Sequence, residues 1–193
     1  MVPRCVHLIR HGEGYHQSHP KLVYEQLHDP TLTEKGINQC HSLARIFRAT
    51  NHLDLICASP MRRTIETAQH CFRPWLTHSH QRLPKLLLLP AAQEDTDLPC
   101  DTGSVPAALE KHYGSVFDAT LLTDDWNTKV GLYSPDAAMV RHRAELFRRW
   151  IFEREEDEIA VVGHGRFWQW VSHEADDLAF SPSGIEFIGP WVS

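Results

Sequence analysis

The chain has 193 residues, 42% hydrophobic and 23% charged, with a formal net charge of −6. This is the composition of an ordinary globular protein, and the length suffices for one domain, over 1–193, with a buried core. The negative charge and the scattered Lys and Arg residues disfavour a nucleic-acid partner. We also expect no membrane partner, because no stretch approaches the roughly 20 apolar residues of a membrane span. The N-terminal residues lack the apolar core of a signal peptide, so a cytoplasmic location is expected.

The cysteines support a reducing compartment. None belongs to a CxxC pair, and their number is odd, so the spacing predicts neither a zinc site nor a secreted disulfide framework. The five are Cys5, Cys40, Cys57, Cys71 and Cys100.

The first predicted elements follow one another closely. CVHLIR (5–10) is short, β-rich and ended by a glycine turn, as is typical of a buried strand. TLTE then indicates a helix start, with Thr31 as the cap and Glu34 three residues on, and helical spacing continues to about residue 50. LDLICASP (53–60) predicts a second strand. Proline at its end predicts the first turn of a helix that stops near residue 72, before Pro74.

The second half continues the alternation. KLLLLP (85–90) predicts a third strand, followed by a loop rich in acidic and hydroxyl residues, a short helix over 106–113 and a weakly patterned stretch over 114–135. A long helical pattern at 136–157 precedes EIAVVGHG (158–165), a fourth strand, and a helix from about residue 166. The tail, 181–193, offers one more strand, IEFIG.

Strands that alternate with helices predict an α/β fold, a three-layer α/β/α sandwich around a mostly parallel sheet. The loops of about 91–135 are expected to form a small cap at the carboxyl edge of the strands. In such folds ligands bind beyond that edge.

The predicted strands end in chemically useful side chains. Guanidinium groups bind phosphate, a neutral imidazole is a nucleophile, and a carboxylic acid protonates a leaving oxygen, so the set suits phosphoryl transfer. Two histidines and a glutamate would also suit a metal, but adjacent arginines would repel a dication and no HxH or HExxH pair is present. We therefore predict no metal site. The strand-end residues are Arg10, His11, Ser59, Arg62, Arg63, Glu94 and His164.

Several blocks, in order, resemble one family. LIRHG, LTEKG with Gln39, SPMRRTIETA, QE at 93–94 and VVGHG are similar to motifs of the histidine phosphatase superfamily, the phosphoglycerate mutase-like group, and cover about four-fifths of the chain. RHG alone is a weak signal, whereas RHG with the serine–proline–arginine block and a strand ending in His-Gly is a specific one. The strings RHGEGYH and PCDTGS resemble a phosphatase-type branch.

The resemblance implies a role for each matching residue. His11 matches the nucleophile that becomes phosphohistidine, and Arg10 matches its phosphate-binding neighbour. Arg63, four residues after the serine, matches the second phosphate-binding arginine. His164 matches the second histidine, and Glu94 is the best match to the acid/base carboxylate. The implied fold is phosphoglycerate mutase-like, and no cofactor is implied.

The first loop is expected to contact the substrate. Gly12 would leave room for the phosphoryl group. Tyr15 and His16 are candidates for lining the pocket. Gln17 stands where the family commonly has asparagine, and Arg166 would reach a second charge on the substrate.

Three functions stay open. Hydrolysis of a phosphomonoester or a diphosphate of a small metabolite is favoured over a phosphoglycerate-type mutase, because EDTDLPCDTGS carries three aspartates and no cation to hold a second phosphate. A non-hydrolytic member that binds a partner or catalyses another reaction on the same scaffold is the third. The sequence does not select the substrate, nor decide between a monomer and a homodimer.

Overall fold

A computed structural model describes residues 5–18, 26–47, 53–77, 86–173 and 185–188. In this part of the chain six strands form one sheet in the order β4-β3-β2-β5-β1-β6, and each pairing is parallel. The strands are Cys5–Arg10 (β1), Leu55–Ala58 (β2), Leu86–Leu88 (β3), Phe117–Asp118 (β4), Glu158–Gly163 (β5) and Ile185–Ile188 (β6).

The helices cover the sheet and its carboxyl edge. They are Tyr15–Ser18 (α1), Glu34–Phe47 (α2), Arg62–Thr77 (α3), Pro106–Tyr113 (α4), Ala137–Phe152 (α5) and Gly165–His173 (α6). Short 3₁₀ turns occur at Pro90–Ala92, Pro99–Asp101 and Gly131–Tyr133. None of the helices in the described ranges is long and apolar enough to span a membrane.

Two apolar layers pack on opposite faces of the sheet. Leu8 of β1 packs in one cluster with Phe147 and Phe167 of α5 and α6. Ile9, the next residue, lies in the other cluster with Ile65 of α3. This alternation follows from the two-residue period of a strand, and it produces the expected three-layer α/β/α sandwich.

The register of the central strands brings the two histidine motifs together. Arg10 of β1 pairs with Gly163 of β5, and the His11 N–H donates to the Gly163 carbonyl at 3.0 Å. The residues that follow, His11 and His164, therefore leave the sheet side by side at its carboxyl edge.

The start of α2 differs from the prediction. Its cap is Thr33 and not Thr31, because Thr33 Oγ1 accepts a hydrogen bond from the Gly36 N–H at 3.0 Å and the helix begins at Glu34. Thr31 instead accepts from the Tyr15 N–H through its carbonyl. Threonine is a favoured N-cap residue, and both threonines stand just before the helical pattern, so the sequence alone did not show which one is the cap.

Three other boundaries also differ. Helix α3 begins after Pro60 and continues through Pro74 to Thr77, since a proline near the end of a helix removes one hydrogen bond without ending the helix. Helix α5 ends at Phe152, and 153–157 form the turn into β5. The two-residue strand β4 was not predicted, because so short a strand has no periodicity. Predicted extensions at residues 48–50, 85, 181–184 and 189–193 lie outside the described residues.

Candidate active site

A cavity of about 480 Å³ opens at the carboxyl edge of the sheet, above β1, β2 and β5. Its floor is basic and its far wall is acidic. The lining residues are Arg10, His11, His16, Gln17, Arg63, Glu94, Thr96, Leu98, Cys100, Asp101, Gly165, Arg166 and Gln169.

His11 is a buried, neutral imidazole with a defined tautomer. Its Nδ1 lies 2.7 Å from the Gly12 carbonyl oxygen, which only accepts, so Nδ1 carries the proton. Its Nε2 accepts from Arg63 Nε at 3.1 Å and is therefore the nitrogen with the lone pair. Burial, together with the Arg63 charge, holds the pKa of His11 well below its usual value.

Arg63 joins the two histidines. Its guanidinium is 1% exposed, and Nη2 lies 3.1 Å from His164 Nδ1 while Nε contacts His11. Nη1 donates to the Cys100 carbonyl at 2.5 Å, and Nη2 forms an ion pair with Asp101 at 2.8 Å. The neighbouring Arg62 lies away from these groups, with its side chain 3.4 Å from His112.

His164 is fully buried beside His11, with the two ring centroids 5.2 Å apart. Because arginine only donates, His164 Nδ1 accepts from Arg63, and Nε2 donates to Ser59 Oγ at 3.0 Å. Burial and the Arg63 charge lower the pKa of His164 well below its usual value. Arg63 thus fixes the tautomer of this ring, and Ser59 Oγ accepts the remaining ring N–H.

Glu94 faces the histidines from the acidic wall and is 8% exposed. Its Oε1 accepts from the Asp95 N–H and from the Phe167 N–H in the first turn of α6, each at 3.1 Å. Burial is the main cause that raises the pKa of Glu94 to about 7, with the Asp101 and Asp95 charges adding to it. A carboxyl with this pKa exchanges its proton near neutral pH.

Two cations hold the backbone of Glu94, and the sequence did not reveal either of them. Arg143, fully buried in α5, donates to the Gln93 carbonyl at 3.0 Å and to the Glu94 carbonyl at 3.3 Å. Lys129 Nζ also lies 3.3 Å from the Glu94 carbonyl. Arg143 further packs 4.6 Å over the Phe167 ring. A buried arginine without a nearby motif looks like any polar residue of an amphipathic helix.

The loop after β1 is fixed to α2 and α3. The Gly12 N–H donates to Thr67 Oγ1 at 3.0 Å, and the Glu13 carbonyl accepts from the Thr33 N–H at 2.9 Å. A Cβ at Gly12 would meet the Gly36 carbonyl oxygen at 2.7 Å, so glycine is needed here for close packing against α2. That Gly12 also leaves room for a phosphoryl group stays a prediction.

The remaining residues of the first loop divide into two groups. His16 and Gln17 line the cavity, and Gln17 Oε1 accepts from the Gly14 N–H at 3.0 Å, which leaves its NH₂ group as the donor for a ligand. Tyr15, predicted to line the pocket, is 45% exposed and is absent from the cavity lining. Because a helix turns by about 100° per residue, the residues of α1 cannot all face the cavity, and Tyr15 lies on the exposed side.

The cavity rim carries two arginines. Arg10 is exposed, and its side chain passes over Gly165, where a Cβ would lie 3.3 Å from Arg10 Nε. Arg166 is held by Asp95, with Nε 2.9 Å from the carboxylate. These guanidinium groups give the rim a positive charge opposite the acidic wall.

Asp101, a wall residue, was counted among the three aspartates of EDTDLPCDTGS but was given no role of its own. Its oxygens contact Arg63 and Thr96. Loop residues of this kind show no periodicity that would place them at the site.

One group of described residues has ligand spacing for a metal. Cys5, His7 and Glu158 lie at the opposite end of β1 and β5, with His7 Nε2 2.9 Å from Glu158 and 3.5 Å from Cys5. This group is separated from the cavity by the length of the strands. At the cavity itself, Arg63 contacts the nitrogens of both histidines that a metal would need.

The site therefore combines a neutral imidazole with a lone pair, a carboxyl whose pKa is raised to about 7, and several cationic or polar donors around a cavity. Charge that spreads over phosphoryl oxygens is stabilised by such donors. Phosphoryl transfer to an imidazole is the chemistry that this arrangement suits.

Solved structures with the same fold include several phosphatases. The ecdysone phosphate phosphatase of Bombix mori superposes with a TM-score of 0.58 at 15% identity, over 85% of this chain and 74% of that one. The α-ribazole phosphatase of Shigella flexneri gives a TM-score of 0.53 at 19% identity, over 91% and 80%. These likenesses establish the phosphoglycerate mutase-like α/β fold.

Similarity in sequence identifies the family of the chain. A protein of Schizosaccharomyces pombe named as a probable phosphatase is 28% identical over 192 residues, which cover 96% of this chain and 87% of the relative. A phosphoglycerate mutase-like protein of Arabidopsis thaliana is 28% identical over 85% of this chain and 72% of its own length. Residues 6–182 match the profile of the histidine phosphatase superfamily, branch 1. The chain belongs to this superfamily, as its motifs had indicated.

Proposed function

We propose that this protein is a metal-independent phosphatase that hydrolyses a small phosphomonoester through a phosphohistidine. The observation that carries the proposal is the state of His11. Its Nδ1 proton is held by the Gly12 carbonyl, so the lone pair is on Nε2, which accepts from Arg63 Nε in the cavity, and Glu94 lines the opposite wall.

The first step forms a bond between His11 Nε2 and phosphorus and breaks the bond from phosphorus to the ester oxygen. The departing alkoxide takes the proton of Glu94, whose raised pKa keeps it protonated up to about pH 7. Arg10, Arg63 and His164 bind the phosphoryl oxygens and stabilise their charge. His164 needs a second proton for this role, and an incoming phosphate favours its uptake because opposite charges raise a histidine pKa.

The second step releases the enzyme. The Glu94 carboxylate takes a proton from a water molecule, and the resulting hydroxide attacks phosphorus as the bond to His11 Nε2 breaks. Inorganic phosphate leaves, and both groups return to their starting states. The guanidinium and imidazole groups supply the positive charge, so the reaction needs no divalent cation.

The walls favour a substrate with one phosphoryl group. A second phosphate beside the first would meet Asp101 and Glu94, as a mutase intermediate would. The cavity also contains Leu98 and the thiol of Cys100, which suit an uncharged organic group.

Hydrolysis of p-nitrophenyl phosphate tests the proposal. We expect turnover by the wild type and a loss of at least about a thousand-fold in His11→Ala, since the nucleophile is removed. His142→Ala, in an exposed position on α5, is the matched control and retains activity. A ³²P label on quenched wild-type enzyme should be acid-labile, as expected for phosphohistidine. Equal rates for wild type and His11→Ala would end the proposal.

A further inference from the structure

An acidic side chain lines the cavity that is proposed to bind phosphate. Asp101 is 8% exposed and lies at the end of the turn Pro99–Asp101. Its Oδ1 accepts from Arg63 Nη2 at 2.8 Å, and its Oδ2 accepts from Thr96 Oγ1 at 2.5 Å. A carboxylate at this position repels an anionic ligand, so its presence requires an explanation.

The contacts of Arg63 supply the first part of that explanation. A guanidinium has five N–H donors in one plane. From the loop side, the Cys100 carbonyl accepts from Nη1 and Asp101 accepts from one N–H of Nη2. The Nε–H and the other N–H of Nη2 are then directed at His11 and His164. Because the loop fixes the plane, the guanidinium is already aimed before a phosphoryl group arrives.

The charge of Asp101 supplies the second part. The phosphate product is an anion like the ester it came from, and a tight hold on it would slow turnover. A fixed negative charge in the cavity wall opposes the product without removing the donors that stabilise the transition state.

We propose that Asp101 is a positioning residue that aims Arg63 at the two histidines and whose charge weakens the binding of inorganic phosphate. The inference rests on the phosphatase function proposed above. It concerns a residue that neither accepts nor donates a proton in the reaction.

Asp101 also affects the acid. Glu94 is surrounded by the like charges of Asp95 and Asp101 and by the positive charges of Arg63, Lys129 and Arg143. The Asp101 charge raises the pKa of Glu94, so its removal moves the basic limb of the pH–rate profile to lower pH.

Two substitutions separate the charge from the contact. Asp101→Asn keeps the shape and an oxygen for Arg63 but removes the charge, whereas Asp101→Ala removes both. The matched control is Asp97→Asn, an exposed carboxylate four residues earlier in the same loop and outside the cavity lining.

The measurements are calorimetric binding of inorganic phosphate and the pH dependence of p-nitrophenyl phosphate hydrolysis. We expect Asp101→Asn to bind phosphate about ten-fold more tightly, equivalent to about 1.4 kcal/mol. Its basic limb should move to lower pH. Asp101→Ala should lose about a hundred-fold in kcat, because a guanidinium displaced by about 1 Å costs that much. Asp97→Asn should match the wild type in phosphate affinity, in pH profile and in kcat.

Unchanged phosphate affinity together with an unchanged pH profile in Asp101→Asn would overturn the charge effect, and wild-type kcat in Asp101→Ala would overturn the positioning role. The charge effect is measured by calorimetry on Asp101→Asn, so it is tested even if Asp101→Ala fails to fold. Failure of the phosphatase proposal looks different, because the wild type itself would then hydrolyse no ester.

Discussion

Gly36→Ala tests whether the position of α2 controls the position of the loop after β1. Gly36 lies in the first turn of α2, where a Cβ would stand 2.2 Å from the Glu13 oxygen and 2.9 Å from the Glu13 nitrogen. Both are backbone atoms, and the Glu13 carbonyl is already bound to Thr33 through the 2.9 Å hydrogen bond. Neither side can therefore give way by a change of rotamer.

The balance of two effects sets the expected magnitude. Alanine in place of glycine stabilises a helix by about 1 kcal/mol, whereas forced overpacking costs about 1–3 kcal/mol. With the contact as short as 2.2 Å, we expect the upper part of that range and a net loss of about 1–2 kcal/mol. Relief of the clash needs a shift of roughly 1 Å at Glu13, two residues from His11, and a displacement of that size costs up to about a hundred-fold in rate.

The assay compares kcat for p-nitrophenyl phosphate and the free energy of unfolding in urea. The control is Asn38→Ala, an exposed position on the same helix, which should keep wild-type kcat and gain slightly in stability. A Gly36→Ala protein that is as active as the wild type and more stable would refute the reasoning, because helix propensity would then have outweighed the contact with Glu13.

Three further outcomes are expected. Since Glu94 has a pKa raised to about 7 and must begin the reaction protonated, kcat/KM should fall as the pH rises through about 7, and a steady rise from pH 6 to 9 would contradict its role. Ser59→Ala removes the acceptor of the His164 Nε2–H, and the loss of a hydrogen bond of about 1 kcal/mol that holds the ring predicts a roughly five-fold lower kcat at similar KM; an unchanged kcat would exclude this. Arg143→Met removes the donor of the buried Gln93 carbonyl and one of two donors of the Glu94 carbonyl, and should cost about 2 kcal/mol in urea unfolding, so a loss below about 0.5 kcal/mol would show that the Gln93 carbonyl finds another donor.

Site residues could be predicted from the sequence where they directly follow a recognisable strand. Arg10, His11 and His164 follow apolar runs that read clearly as strands, and parallel strands end at one edge, so their convergence could be predicted. Arg63 was separated from Arg62 by its spacing from Ser59. The structure gives the physical counterpart, since only Arg63 is directed inward from the first turn of α3.

The residues that the sequence did not reveal act through tertiary contacts. Arg143 reaches Glu94 from a helix about 50 residues away, and Asp101 reaches Arg63 from a loop without periodicity. The contact of Gly12 with Gly36 was not predicted, because the two glycines are 24 positions apart in sequence. Such pairs are fixed by packing, which local patterns do not encode.

The pairing of β1 with β5 has an evolutionary consequence. Arg10 and Gly163 are register partners in this pairing, so the spacing of the two imidazoles that follow them is set by main-chain hydrogen bonds, which do not depend on the side chains. The acidic wall belongs to a separate loop after β3. Insertions, deletions and substitutions in that loop can change which ligands enter the cavity without moving the two histidines. Proteins with this arrangement can therefore change their ligand specificity through the loop while the pair of histidines at the strand ends stays the same.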